Sequence, residues 1–218
     1  GRIAYIDVAK GILILCLLYG HMLIELKWHG VDNSMLNTIM WKGVYVYNTF
    51  FMQTFFLITG LCSSFHINFS LYLWKNIKTL ILPAIAITLI GYLGTDINNG
   101  FPITIERILS LGSWLHVPEA GPWFIIALFL AKIIYWPVSR MAIRKQLAVI
   151  MVLYFIGLLL KSVDLIPNIL WHRHTLMMMP FLFAGNMLKY YMSFFNRYME
   201  RLALAAIVLI PLQVILLF

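Results

Sequence analysis

"YIDVAKGILILCLLYGHM", residues 5–22, decides how the whole chain is read. Most of this stretch would dissolve in lipid, yet Asp7, Lys10 and His21 are set into it. As a helix it puts Lys10 and His21 eleven residues apart. At 3.6 residues per turn, eleven steps return to within about 20° of the starting face, about 16 Å further along. Asp7 stands three residues before Lys10 and Glu25 four residues after His21, both neighbouring positions on a helix surface. The four side chains therefore form one polar stripe on an apolar rod. Ionisable residues inside a membrane usually face a bundle interior or a wet cavity and mark function. The plainer explanation pairs Lys10 with Asp7 at one interface, where Lys snorkels, and leaves Glu25 solvated at the other. For His21 the plainer explanation is a hydrogen-bonded core histidine.

The rest of the chain repeats the pattern. It is 62% hydrophobic and 11% charged, with a mean hydropathy of +0.90. Soluble domains are about half apolar and about a quarter charged. Apolar segments recur along the whole length, which a signal peptide alone does not explain. The fold expected is all-α, a polytopic transmembrane helix bundle. A net charge of +8 would point to nucleic acid in a soluble chain. In a membrane chain it reflects basic loops on one side, so no nucleic-acid partner is expected. Cys16 and Cys62 lie inside apolar runs and are read as small buried hydrophobes. No metal-ligand spacing occurs, and no metal is expected. The chain opens on Gly1 and stops at Phe218 within "LALAAIVLIPLQVILLF". It is read as a piece of a longer protein.

A spanning helix needs about 20 mostly apolar residues. Seven candidates follow, at about 6–26, 45–65, 77–95, 121–139, 146–162, 174–192 and 202–218, separated by breaks such as "TDINNGFP" and "DLIPN". With the N-terminus inside, the inner loops hold Arg2, Lys10, Lys75, Lys78, Arg140, Arg144, Lys145, Lys189, Arg197 and Arg201. The outer loops hold Lys27, Lys42, Arg107, Lys161 and Arg173, and six of the eight acids. Lys and Arg bias sets orientation, so a cytoplasmic N-terminus is favoured. Lys132 falls mid-segment, either turned into a cavity or a sign that a boundary is off by a turn.

These stretches resemble one family in order. "YIDVAKGILILCLLYGH" resembles the opening of the acyltransferase family 3 membrane proteins, whose first-helix motif is an Arg followed after ten residues by a His. Here it reads Lys10-x10-His21. "FFMQTFFLITGLC" (50–62) resembles the family's second helix, "WKNIKTLILP" (74–83) its Arg-x-x-Arg entry to the third, "GPWFIIALFLAKIIYW" (121–136) its Trp-Phe helix, and "HTLMMMPFLFAGNML" (174–188) its "PFFLLG"-like helix. Both basic motifs depart from the pattern by carrying Lys in place of Arg. Lys keeps the charge but lacks the bidentate fork of Arg. The family includes bacterial O-acetyltransferases of surface polysaccharides and fucose 4-O-acetylase-like proteins. The resemblance implies a single acyltransferase domain over 1–218, about seven spans of a roughly ten-helix fold, truncated at its C-terminal end. It places the chain in the bacterial inner membrane.

The implied reaction moves an acetyl group from acetyl-CoA to a hydroxyl of a glycan or lipid-linked sugar. Lys10, Lys75 and Lys78 are expected to hold the phosphates of CoA, with Asp7 tethering Lys10 and Trp123 stacking near donor or acceptor. His21, about 16 Å deeper by helix rise, is expected to be the general base. A sugar hydroxyl is a poor nucleophile at neutral pH, and a neutral imidazole that takes its proton typically contributes about 10²–10⁴-fold. An acyl-His intermediate is the variant. Glu25 is expected to orient the ring. Each assignment has a plainer rival. Lys75 and Lys78 also fit an inner helix end by topology alone, and Trp123 fits an interfacial anchor. "WHRHT" (171–175) is explained by the outer interface, and the rival reading gives Arg173 a contact with a lipid-linked sugar.

Two other functions fit the same residues. In a transporter or flippase the Lys10–His21 stripe would line a permeation or proton path, and Lys75 and Lys78 would tolerate neutral replacement. An acyl-CoA-binding sensor would bind donor and leave the acceptor unchanged. No G-x-S-x-G, H-E-x-x-H or Walker A motif occurs in the sequence.

Overall fold

The computed structural model describes residues 4–28, 51–86, 89–90, 123–162 and 172–191. All regular structure among the described residues is helical. The chain divides into two compact units, Gly1–Ser63 with Ala184–Phe218, and Ser64–Phe183.

In the first unit, α1 runs unbroken over Ala4–Trp28. At 1.5 Å per residue its 25 residues extend about 37 Å, enough for a hydrocarbon core of about 30 Å. Among its described side chains, the buried residues Ile6, Leu13 and Gly20 recur every seven positions and so lie along one seam. Ile6 and Leu13 pack on Phe51 and Ile58 of α2 (Phe51–Cys62), with Ala9, Met52, Phe55 and Leu61 around them. Away from the seam, Val8, Ile12, Leu15, Leu18, Tyr19 and Met22 are exposed. This distribution suits a helix turned to lipid. Later in the chain, Gly185 presses against α2. A Cβ there would collide with the carbonyl oxygen of Leu57. Small residues allow such close approach between membrane helices. Lys189 Nζ donates to Ser63 O at 3.2 Å, just beyond the end of α2.

In the second unit, α3 covers Phe69–Asn76 and continues through a π turn, Ile77–Ile81, into helical residues 82–86. Asn68 caps it, its side chain accepting from Ser70 N at 2.9 Å. The π turn has a local cause. Pro83 has no N–H, and in a regular helix its ring would clash with the carbonyl of Thr79. The helix widens just before it, and Leu82 N–H reaches back five residues to Ile77 O. Helices α4 (Trp123–Val138), α5 (Ile143–Ser162) and α6 (His172–Tyr190) follow; the division between the units falls within α6.

Three contacts fix the directions within this unit. Phe69 meets Trp136 at 4.9 Å and Tyr72 meets Lys132, so α3 runs antiparallel to α4. Trp123 meets His174, Thr175 donates to Ala127 O, and Tyr135 meets Phe183, so α4 and α6 run parallel and in register. Helix α5 packs on α6, with Gly157 against Leu176 and Met177. Gln146 locks the turn between α4 and α5. It accepts from the Tyr135 hydroxyl at 3.1 Å and donates to Ser139 O at 3.2 Å and Met141 O at 2.8 Å.

The helical class read from the sequence holds. Among the described residues one helix, Ile143–Lys161, is long and apolar enough to cross a membrane. Most of its surface is exposed, including Leu147, Val152, Phe155 and Leu159. The first, fourth, fifth and sixth expected spans coincide with α1, α4, α5 and α6 to within about three residues. The third does not: the helix starts at Phe69, eight residues before the expected position. Ser70, Lys75, Asn76 and Lys78 lower the local hydropathy, and the Asn68 cap sets the true start. Cys62 is exposed at the end of α2, not buried. The expected span at 202–218 lies outside the described residues, as does 45–50.

Candidate functional site

The candidate residues divide between the units. Asp7, Lys10, His21 and Glu25 belong to α1. Lys75 belongs to α3, Lys78 to its π turn, and Trp123 to α4.

Because α1 is continuous from Ala4 to Trp28, the eleven-residue spacing is a helical spacing. Lys10 and His21 share one face about 16 Å apart along the axis. Lys10 is half-buried and stands beside the seam, four residues after Ile6 and three before Leu13. Ile14 shares the azimuth of the stripe and is 50% exposed. Lys10 and Ile14 therefore lie on the shoulder of the seam, beside the α2 contact. The side chains of Asp7, His21 and Glu25 lie outside the described residues.

In the second unit, the loop before α3 is pinned to the far end of α4. Trp136 Nε1 and the Arg140 guanidinium both donate to Ile67 O, at 3.1 and 3.0 Å. The guanidinium also stacks on the Trp136 ring at 3.7 Å. The start of α3 and the turn carrying Arg140 thus share one end of the unit, with exposed Arg144 and Lys145 following directly. Lys75 and Lys78 are exposed on α3. They sit in its second and third turns, not at its entry. Lys78 compensates by folding back, its Nζ 4.8 Å from the centre of the Trp74 ring. Helical side chains lean toward the N-terminus of their helix, which draws both ammonium groups toward the Arg140 end.

Charge in this unit is lopsided. Its described residues hold Lys75, Lys78, Lys132, Arg140, Arg144, Lys145, Lys161 and Arg173, and neither Asp nor Glu. The four acids of residues 64–183, Asp96, Glu106, Glu119 and Asp164, lie outside the described residues. Among the described residues, the end that gathers Arg140, Arg144 and Lys145 is an electrostatic match for phosphates.

Trp123 is placed elsewhere. It begins α4, thirteen residues or about 20 Å of helix from Trp136. Its ring lies 5.1 Å from the imidazole of His174 at the start of α6. The structure thus groups Trp123 with His174, apart from Arg140, Arg144 and Lys145. Among the described residues no cluster of three or more His, Cys, Asp or Glu is arranged for a metal ion.

Sequence reasoning missed a polar seam inside the second unit. Phe65 is fully enclosed between Tyr135, at 4.8 Å edge-on, and Tyr72, at 5.8 Å. Lys132 lays its Nζ 5.8 Å from the Tyr72 ring centre, which settles its orientation: it faces α3. Asn76, one turn beyond Tyr72 and also buried, donates through Nδ2 to Tyr72 O at 2.7 Å. Polar residues among apolar ones at four-residue spacing, Tyr72 and Asn76, were the available signal.

Comparison with known proteins adds one positive result. The acyltransferase domain family matches residues 3–218. No curated protein and no solved structure gives a significant match. With the match running nearly the whole length, this chain belongs to acyltransferase family 3, a family of membrane acyltransferases.

Proposed function

We propose that the protein is an integral membrane O-acyltransferase that moves an acetyl group from acetyl-CoA to a carbohydrate hydroxyl. It sits in a bacterial inner membrane as a bundle of about seven crossings in this chain, with a cytoplasmic N-terminus. The observation that carries the reading is the unbroken α1, which holds Lys10 and His21 on one face about 16 Å apart. That spacing suits a donor with phosphates at one end and a thioester at the end of a long arm.

In the reaction, the His21 imidazole removes the proton of the sugar hydroxyl as its oxygen attacks the thioester carbonyl. The tetrahedral adduct collapses, the C–S bond breaks, and the CoA thiolate recovers the proton from the imidazolium. The products are a sugar ester and free CoA. Glu25, one turn on, orients the ring and stabilises its charged form. Lys10, paired with Asp7, and Lys75 and Lys78 hold donor phosphates as point charges. The cationic end of the second unit supports this assignment. Trp123, beside His174, fits the acyl end or the acceptor sugar rather than the phosphates. The transporter reading keeps no observation of its own.

The test supplies full-length protein in membranes with acetyl-CoA labelled in the acetyl group and with surface glycans. Label recovered in glycan and released by mild alkali is the expected result. Glycan crossing the membrane without labelling, independently of donor, would overturn the reading in favour of transport.

A further inference from the structure

Two tyrosines flank Phe65, and their hydroxyls are treated differently. Tyr135 is fully buried and donates to Gln146 Oε1 at 3.1 Å. Tyr72 is 2% exposed; its buried hydroxyl makes no hydrogen bond of ordinary geometry, and the Asn76 side chain is the polar group close enough to act on it. A buried hydroxyl left unmade is destabilising, and phenylalanine would fill the same space without that cost. Asn76, the nearest buried amide on α3, commits its Nδ2 to the Tyr72 backbone. From α4, the Lys132 ammonium lies over the Tyr72 ring.

We propose that the Tyr72 hydroxyl and the Lys132 ammonium form a subsite for a phosphoryl oxygen of the acyl donor, between α3 and α4. The proposal rests on the acyltransferase reading above. A phenol donor beside an ammonium is chemically matched to an anionic oxygen, and charge-assisted hydrogen bonds of this kind are the strong ones. The location agrees with it. Tyr72 precedes Lys75 by one helical turn on α3, so a ligand held by Lys75 and Lys78 has its next donor on the adjacent face. Lys132 is half-buried on a flexible stem.

Free CoA is the probe. Its binding is measured by calorimetry to full-length protein in nanodiscs of phosphatidylcholine alone, and again with phosphatidylglycerol added. Wild type is compared with Tyr72→Phe and Lys132→Met, with the thermal midpoint of each ligand-free protein as a control. Each substitution is expected to weaken CoA binding about tenfold. Tyr72→Phe is expected to leave the ligand-free midpoint unchanged or raised, which separates a binding role from a structural one. Wild-type affinity retained in Tyr72→Phe would overturn the subsite and leave the donor reading standing. A Tyr72→Phe effect confined to stabilisation by phosphatidylglycerol would overturn it in favour of a lipid phosphate. Wild type that binds no CoA in either bilayer would overturn the donor reading and the subsite together.

Discussion

Helices α1 and α3 carry the two lysine motifs, and they position their charges by different means. Helix α1 is a single regular rod of 25 residues. The spacing of its charged positions follows from periodicity alone, and Lys10 stands beside the buried seam of Ile6, Leu13 and Gly20. Helix α3 has eight α-helical residues and then a π turn. Its start is set by the Asn68 cap, its docking by the two donors on Ile67 O, and its widening by Pro83. Charges on a regular helix are placed by sequence spacing. Charges on α3 are placed by capping, a tertiary pin and a local break.

The largest effect should come from breaking the register of α1. One Ala inserted between Leu13 and Ile14 rotates His21 by about 100° relative to Lys10. Transfer is expected to fall by about the 10²–10⁴-fold a general base contributes, in membranes that hold equal amounts of inserted protein. Activity within threefold of wild type would mean that the shared face is incidental.

On α3, neutralising both lysines as Lys75→Gln with Lys78→Gln should act on donor binding. The expected result is a KM for acetyl-CoA about 10–100-fold higher, by analogy with the loss of one or two charge-assisted hydrogen bonds, and a kcat within a few-fold of wild type. An unchanged KM would reduce the pair to a topological signal.

Pro83→Ala tests the π turn. Removing the proline allows a regular i to i−4 ladder and is expected to stabilise α3, by up to about 3 kcal/mol if the helix relaxes fully. Lys78 would rotate as the turn tightens, so the KM for acetyl-CoA should rise a few-fold although the protein unfolds at higher temperature. A rise in stability with no change in KM would make the π turn a mere accommodation of proline.

The smallest effect belongs to the cap. Asn68→Ala removes the acceptor for Ser70 N–H and is expected to cost about 1 kcal/mol. Hydrogen exchange at the first turn of α3 should quicken while α1 is unaffected.

The same contrast explains what was legible beforehand. The helical class and the extents of α1 and α4 to α6 follow from apolar runs, which the sequence displays directly. The start of α3 was misplaced because hydropathy averages over Ser70, Lys75, Asn76 and Lys78, whereas a cap is one residue. Pro83 was in view, but its effect on the preceding turn depends on the helix continuing past it, which packing decides. The Tyr72–Lys132 contact and the Tyr135–Gln146 bond join different helices, and no local pattern encodes such a pairing. Cys62 sits in an apolar run yet is exposed, because composition gives burial or lipid exposure equally in a membrane chain. The approach of Gly185 to Leu57 is likewise tertiary; the sequence offered only a glycine within an apolar helix.

The central claim is that His21 performs the proton transfer while other residues hold the donor. The most direct measurement is single-turnover transfer from labelled acetyl-CoA to glycan at saturating donor, for wild type and His21→Ala, with CoA affinity determined on the same preparations. The expected result is transfer lowered by about 10²–10⁴-fold with CoA affinity within threefold of wild type. Undiminished transfer in His21→Ala would contradict the account and remove His21 as the base.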